Sequence, residues 1–259
     1  MTGQRNSLFD KPIASDSYLE WDGEYFAVPS WVISGTVAQN ALFLQNRVKE
    51  IGLCLFEWKS CLDYGANDLP QWLADMPFNW HAHMPQDLPW KQGAEKTAEI
   101  CRQLLAKIAF LKPRFLVLHP PPQNGKTLLS RFATHFNNAL QLEILLENTC
   151  SAESIMTDAS FLAKNGFGCC LDLAHAMQYG QLEFLHMANQ ARLVHWSAPG
   201  KKDEHRPLTQ LDENQRKLLK KTSALFSGDV THMLEIFTWQ GICESLPLFR
   251  SMTTDVKGH

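Results

Sequence analysis

A basic surplus, paired cysteines and long apolar runs are all missing from this sequence. Lysine and arginine number 24 against 27 acids, for a formal net charge of −3. The totals therefore lack the cationic excess with which proteins neutralise a nucleic-acid backbone, and nucleic acid is not the expected partner. The seven cysteines are an odd number, contain no CxxC, and include an adjacent pair, Cys169 and Cys170. This excludes a disulfide framework and leads us to expect reduced, mostly buried thiols in a cytoplasmic protein. No uninterrupted apolar stretch is long enough to span a bilayer, and the opening MTGQRNSLFDKP has no apolar stretch of the kind a secretory leader needs. No membrane partner is expected. Repeats of solenoid period and low-complexity segments are absent too. Lys126 lies in PPPQNGKT, a fragment of a phosphate loop that lacks the GxxxxGK spacing.

What remains is a chain of 259 residues, 45% hydrophobic and 20% charged, which suits one large domain with a sizeable core. Residues 1–24 are polar and aperiodic and read as an N-terminal arm; residues 25–259 read as a single barrel domain. Strand signals fall at Tyr25–Ile33, Ile51–Trp58, Phe78–Met84, Arg114–His119, Leu142–Glu147, Gly168–Leu173, Arg192–Trp196 and His232–Phe237. Several are continuous apolar runs, as in parallel strands buried on both faces. Amphipathic stretches alternate with them: Thr36–Val48, Asp68–Asp75, Glu95–Leu111, Leu128–Leu140, Glu153–Lys164, Leu182–Asn189, Glu213–Phe226 and Gly241–Met252. Ser34 or Thr36 and Asp212 stand where N-caps are expected, and Gly166 and Gly228 where helices should stop. The alternation predicts an α/β protein, a single-domain (β/α)8 TIM barrel.

Metal-type ligands recur at the ends of these runs: His83 in NWHAHMP, His119 in RFLVLHPP, Glu147 in LEILLENT, Asp172 and His175 in GCCLDLAH, His195 in ARLVHWSAP and Glu235 in HMLEIFTW, with Asp203 and His205 in the loop KKDEHRP. Each has an ordinary reading when taken alone; Asp172, for example, is a natural helix cap. Taken together they place charged or imidazole groups at the same end of six strands. All barrel strands point that end at one face, and burying so many acids without cations would be costly. The mixture of imidazole and carboxylate suits zinc, manganese or iron(II) and not calcium. Nine ligands exceed the need of one ion, so two or three divalent cations are expected, with Glu147 and Asp172 as shared carboxylates.

This order of residues resembles the xylose-isomerase-like barrel superfamily, and within it the three-metal phosphodiesterases of the apurinic-endonuclease IV type. The resemblance covers residues 25 to 250. It implies His83, His119, Glu147, Asp172, His175, His195, Asp203, His205 and Glu235 as the metal set. A narrower similarity lies in PSWVISGTVAQN, GLCLFEWKSCLDY, DLPQWLADM and HAHMPQDLPW, which look like the cobamide-remodelling phosphodiesterases of bacteria. Membership there implies hydrolysis of the phosphoester between a corrinoid and its lower-ligand nucleoside, giving a cobinamide phosphate and an α-riboside.

Under that reading Glu147 bridges two ions, and Asp172, His195 and Glu235 hold the buried one. His83 and His119 hold the first, and His175, Asp203 and His205 the third. Glu147, Glu235 and Glu57 are the candidate catalytic acids; Glu57 either orients His83, accepts a hydrogen bond from substrate, or forms a plain salt bridge. Lys201 and Arg206 either neutralise a phosphate or belong to a solvated loop. Trp58, Trp196 and Trp239 either wall the mouth for a large planar ligand or pack between helices and sheet. His81, one pleat below His83, reads as core or as a support for the ligands. Two rival enzymes share the barrel: a one-metal sugar isomerase or epimerase built on Glu147, Asp172, His195 and Glu235, and an apurinic-site endonuclease. A non-catalytic corrinoid- or metal-binding barrel is a third alternative.

Overall fold

The computed structural model describes residues 26–136, 142–150, 153–201, 204–226 and 228–253. The expected arm at residues 1–24 lies outside them. Eight parallel strands close into one barrel: β1 (Phe26–Pro29), β2 (Glu50–Cys54), β3 (Asn79–His83), β4 (Phe115–Leu118), β5 (Glu143–Glu147), β6 (Phe167–Asp172), β7 (Ala191–Trp196) and β8 (Thr231–Leu234). Each strand pairs with its neighbours in sequence, and β1 closes the ring on β8 through Phe26 with His232 and Ala27 with Met233. The predicted (β/α)8 barrel is what forms.

Side-chain parity organises the barrel. Successive residues of a strand point to opposite faces. Ala27, Phe115, Val117, Leu145, Cys170, Leu193 and Met233 point inward and form a buried cluster of their own. Their neighbours in the strands, among them Leu116, Leu118, Leu146, Leu171, Val194, Trp196 and Leu234, point outward and join the larger core beneath the helices. Each such side chain contributes roughly 1.5–3 kcal/mol by leaving water. Gly52 of β2 is required by this interior, because a Cβ there would sit 2.7 Å from His81 Nε2 and 2.9 Å from Met233 Sδ. Below it, Glu50 accepts from His81 Nδ1 at 2.8 Å and from Arg114 Nη1 at 2.7 Å, and His81 stacks on Phe115. Hydrogen-bonded charge thus fills the lower end of the barrel. His81 belongs to this network.

The helices are α1 (Val37–Leu44), α2 (Trp58–Leu62), α3 (Ala94–Ile108), α4 (Gly125–Phe136), α5 (Glu153–Met156), α6 (Ala159–Asn165), α7 (Leu173–Gln178), α8 (Glu213–Ser223) and α9 (Trp239–Thr253). Thr36 opens α1 in a capping box with Gln39, Asp212 opens α8 with Gln215, and Gly166 ends α6 at φ 70°. Several expectations need correction. Strands β1, β2 and β8 stop earlier than the apolar runs, at Pro29, Cys54 and Leu234, so Trp58 and Phe237 lie beyond the sheet. Leu182–Gln190 is a 3-10 helix, and α5 and α6 are two pieces. Gly228 does not stop α8, which ends at Ser223 with Ala224 still right-handed. Among the described residues no helix is long and apolar enough to cross a membrane. All seven cysteines are unpaired, five of them buried.

Candidate metal centre

The ligand-type residues sit two positions above the inward layer. Leu145 precedes Glu147, Cys170 precedes Asp172, Leu193 precedes His195, Met233 precedes Glu235, Val117 precedes His119, and His81 precedes His83. Equal parity aims all six into the barrel at its C-terminal mouth. Glu147, Asp172, His175, His195 and Glu235 are all buried, His195 and Asp172 completely.

Four overlapping groups result, each with its donor atoms within 4.8 Å of one another: His83, His119 and Glu147; Glu147, Cys170 and His195; Glu147, Asp172, His195 and Glu235; and Asp172, His175 and His205. Glu147 belongs to the first three and Asp172 to the last two. Glu147 Oε2 lies 2.9 Å from His83 Nε2, 3.3 Å from His119 Nε2 and 3.7 Å from His195 Nδ1. His195 Nδ1 is 2.9 Å from Glu235 Oε2 and 3.9 Å from Asp172 Oδ2. His205 Nδ1 is 3.5 Å from Glu235 Oε2 and 4.0 Å from Asp172 Oδ2. Asp203 lies outside the described residues.

The surroundings hold these side chains in a metal-ready form. His83 Nδ1 donates to the carbonyl of Met84 at 2.9 Å, which turns Nε2 onto Glu147 Oε2, 2.9 Å away. His175 Nδ1 donates to the carbonyl of Asn148 at 3.0 Å. Asp172 divides its two oxygens: Oδ1 caps α7 by accepting from the amide of His175 at 2.6 Å, while Oδ2 is buried without a hydrogen bond among the described residues. His119 Nε2, His195 Nδ1 and Glu235 Oε2 are likewise buried without one, although the last two stand 2.9 Å apart. Lone pairs that face each other at such distances require a cation between them, either a proton or a metal ion. The donor set therefore fits divalent cations.

The protonation states carry the same message. Burial alone would lower His175 and His195, but the carboxylates around them prevail. His175 is driven up to about 11, chiefly by Asp172 and Glu147, and His195 to about 9, chiefly by Glu235 and Glu147. Burial opposes ionisation of Glu147 and Glu235 as well, yet the histidines hold both below the usual carboxylate range. Burial does prevail at Asp172, whose carboxyl is raised.

Sequence reasoning missed Asn148. It is fully buried; its Oδ1 accepts from the amide of Asp172 at 2.6 Å and its Nδ2 donates to the Asp172 carbonyl at 2.8 Å, while its own carbonyl takes His175. One residue thus fixes two of the nine candidates. Glu57 stands apart from the cluster: it is exposed and accepts from Ser60 Oγ at 3.1 Å, and the Met84 carbonyl holds His83 in its place. Arg206 turns its guanidinium to Glu204 at 2.7 Å, and the same carboxylate accepts from the backbone amide of Lys201 at 3.4 Å. Trp196 cannot wall a mouth, because it is fully buried on the outward face and its Nε1 donates to His232 Nδ1 at 3.0 Å. Trp239 is buried edge-on to Phe43, and half-buried Trp58 begins α2 with Lys59 over its ring. The exposed rings at this mouth are instead Trp31 and Phe56.

No protein-family model and no curated protein matches the sequence. Solved structures are similar in fold. A D-tagatose 3-epimerase-like protein superposes with a TM-score of 0.63 at 16% identity, covering 90% of this chain and 98% of that one. Endonuclease IV from Thermus thermophilus gives 0.62 at 17%, covering 90% and 100%. The IolI protein with a binding zinc atom gives 0.60 at 14%, covering 90% and 98%. The chain therefore shares the (β/α)8 barrel fold with proteins that include epimerases and an endonuclease.

Proposed function

We propose that the chain is a cytoplasmic, metal-dependent phosphodiesterase for a small-molecule substrate, with cobamides as the substrate class to which its flanking segments are similar. The observation that carries this reading is the sharing of Glu147 and Asp172 among four overlapping ligand groups. A single-ion enzyme has no use for that sharing, whereas phosphoryl chemistry needs positive charge on several oxygens together. Divalent cations bound here, zinc first and manganese or iron(II) next, supply that charge and lower the pKa of an attacking water. His83, His119 and Glu147 would hold one ion. Asp172, His195 and Glu235 with Glu147 would hold the buried one, and His175, His205 and Asp203 with Asp172 a third. The chain's own work is to keep His83 and His175 each in one tautomer through Met84 and Asn148, to keep Asp172 Oδ2 aimed inward, and to screen the group from bulk water so that its charges act at full strength.

The four-membered group of Glu147, Asp172, His195 and Glu235 favours a second reading. It would suffice for a one-metal sugar epimerase in which the two glutamates move the proton. That reading leaves His83, His119, His175 and His205 without a task. Incubation with an adenosylated cobamide, an abasic duplex and a ketose, each with and without chelator, separates the possibilities. Chelator-sensitive release of a riboside supports the proposal; turnover of the ketose alone, or of none, refutes it.

A further inference from the structure

One thiol lies directly beneath the candidate metal centre. Around it the inward side chains Ala27, Phe115, Val117, Leu145 and Leu193 are hydrocarbon, and the sulfur of Met233 faces His81 Nε2 at 3.3 Å. Cys170 is fully buried among them, with its sulfur 3.5 Å from His195 Nε2. That separation suits an N–H···S hydrogen bond. An irregularity in the sheet makes the contact. The register between β6 and β7 slips at Cys169 and Cys170: Cys169 pairs with Ala191, but Cys170 pairs with Leu193 and Asp172 with His195. Without the slip Cys170 would pair with Arg192 and Asp172 with Val194, which point outward, and the two strands would fall out of step at the mouth. Bulges of this kind re-aim side chains beside functional sites.

His195 carries one nitrogen on each edge of its ring. Nδ1 faces Glu235 Oε2 at 2.9 Å, Glu147 Oε2 at 3.7 Å and Asp172 Oδ2 at 3.9 Å. Nε2 turns the other way, into the apolar layer, where a proton without an acceptor would be costly. Among the described residues the Cys170 sulfur is its partner. His83 and His175 are held instead by carbonyl oxygens, those of Met84 and Asn148. We infer that Cys170 is a positioning residue for the buried metal ion: its sulfur accepts the Nε2 proton of His195, which fixes the tautomer and leaves the Nδ1 lone pair to an ion shared with Glu147, Asp172 and Glu235. Glu147, Cys170 and His195 also converge within 4.8 Å, so direct ligation by sulfur is the competing assignment. An ion at Nε2 would give up Asp172 and Glu235, which face Nδ1. The inference rests on the metal centre of the proposed function and not on a phosphodiester as its substrate.

NMR of the zinc-loaded protein, isotope-labelled at the histidine nitrogens, tests this without any substitution. His195 should carry its proton on Nε2 and its metal on Nδ1. Cys170→Val keeps bulk but no acceptor and should weaken zinc binding roughly 10- to 100-fold in competition with a chelating dye. Cys170→Ser keeps an acceptor and should recover most of the loss. The cobalt(II)-substituted protein should show no thiolate-to-cobalt charge transfer that depends on Cys170. Circular dichroism equal to wild type shows that each variant is folded, and the NMR result stands even where Cys170→Val does not fold. Metal bound at Nε2, a charge-transfer band lost in Cys170→Ser, or equal zinc affinity in wild type and Cys170→Val would overturn the inference. A wild type that binds no zinc, manganese or iron(II) would refute the metal centre and the inference together. A wild type that binds zinc but hydrolyses no phosphodiester would refute the phosphodiesterase reading alone.

Discussion

Removing the metal should reverse the pH dependence of stability. In the metal-free protein His195 is held protonated up to about 9, against an ordinary value of 6.5, and His175 up to about 11. A raised folded-state pKa means that the folded chain binds protons which the unfolded chain has released. The stabilisation is complete below pH 6.5 and disappears as pH climbs through the folded value. For His195 alone it is on the order of 3 kcal/mol, equivalent to roughly 6–12 °C in melting temperature for a chain of this size. The chelator-treated protein should therefore melt lower at pH 9 than at pH 6.5. The metal-loaded protein should melt higher as pH rises from 6 to 8, because its ligands must be neutral imidazoles. The two forms are compared by scanning calorimetry over the same buffers. Zinc binding to the stripped protein at pH 7.5 should also release about two protons, read from binding enthalpies in buffers of different ionisation heat. A chelator-treated melting temperature that stays flat or rises across this window, or binding without proton release, would refute the reasoning.

Other outcomes follow from single contacts. Glu147→Gln should remove at least one metal ion per chain and cut phosphodiester turnover roughly 100- to 1,000-fold; elemental analysis and kinetics check both. Asn148→Ala unclamps Asp172 and should weaken metal affinity about 10- to 100-fold, measured by competition with a chelating dye. Trp196→Ala should cost about 3–5 kcal/mol in urea unfolding while leaving metal content unchanged. Gly52→Ala, which forces a methyl onto His81 and Met233, should cost about 1–3 kcal/mol.

Much of the site was legible because period two is legible. Apolar runs closed by His, Asp or Glu locate β3 to β8, and equal parity with Leu145, Cys170, Leu193 and Met233 places their ligands inside. The same rule, applied one residue further, would have excluded Trp196: it follows His195 directly and must face the helices. Asn148 escaped notice because an Asn after a strand looks like an ordinary turn residue, and its two backbone contacts to Asp172 span 24 residues of sequence. Helices α2 and α7, of five and six residues, are too short to show a helical period. Trp58 and Phe237 read as the ends of strands because an apolar run does not record where pairing stops.

The lower end of the barrel, with Glu50, His81 and Arg114 locked together under Phe115 and Met233, is packed shut among the described residues, which leaves traffic the ligand-lined mouth as its doorway. A bulky molecule need not enter; it has only to lay its scissile bond across the threshold. Whatever leaves must go out the way the next molecule comes in, so spent product should compete with fresh substrate for the same opening.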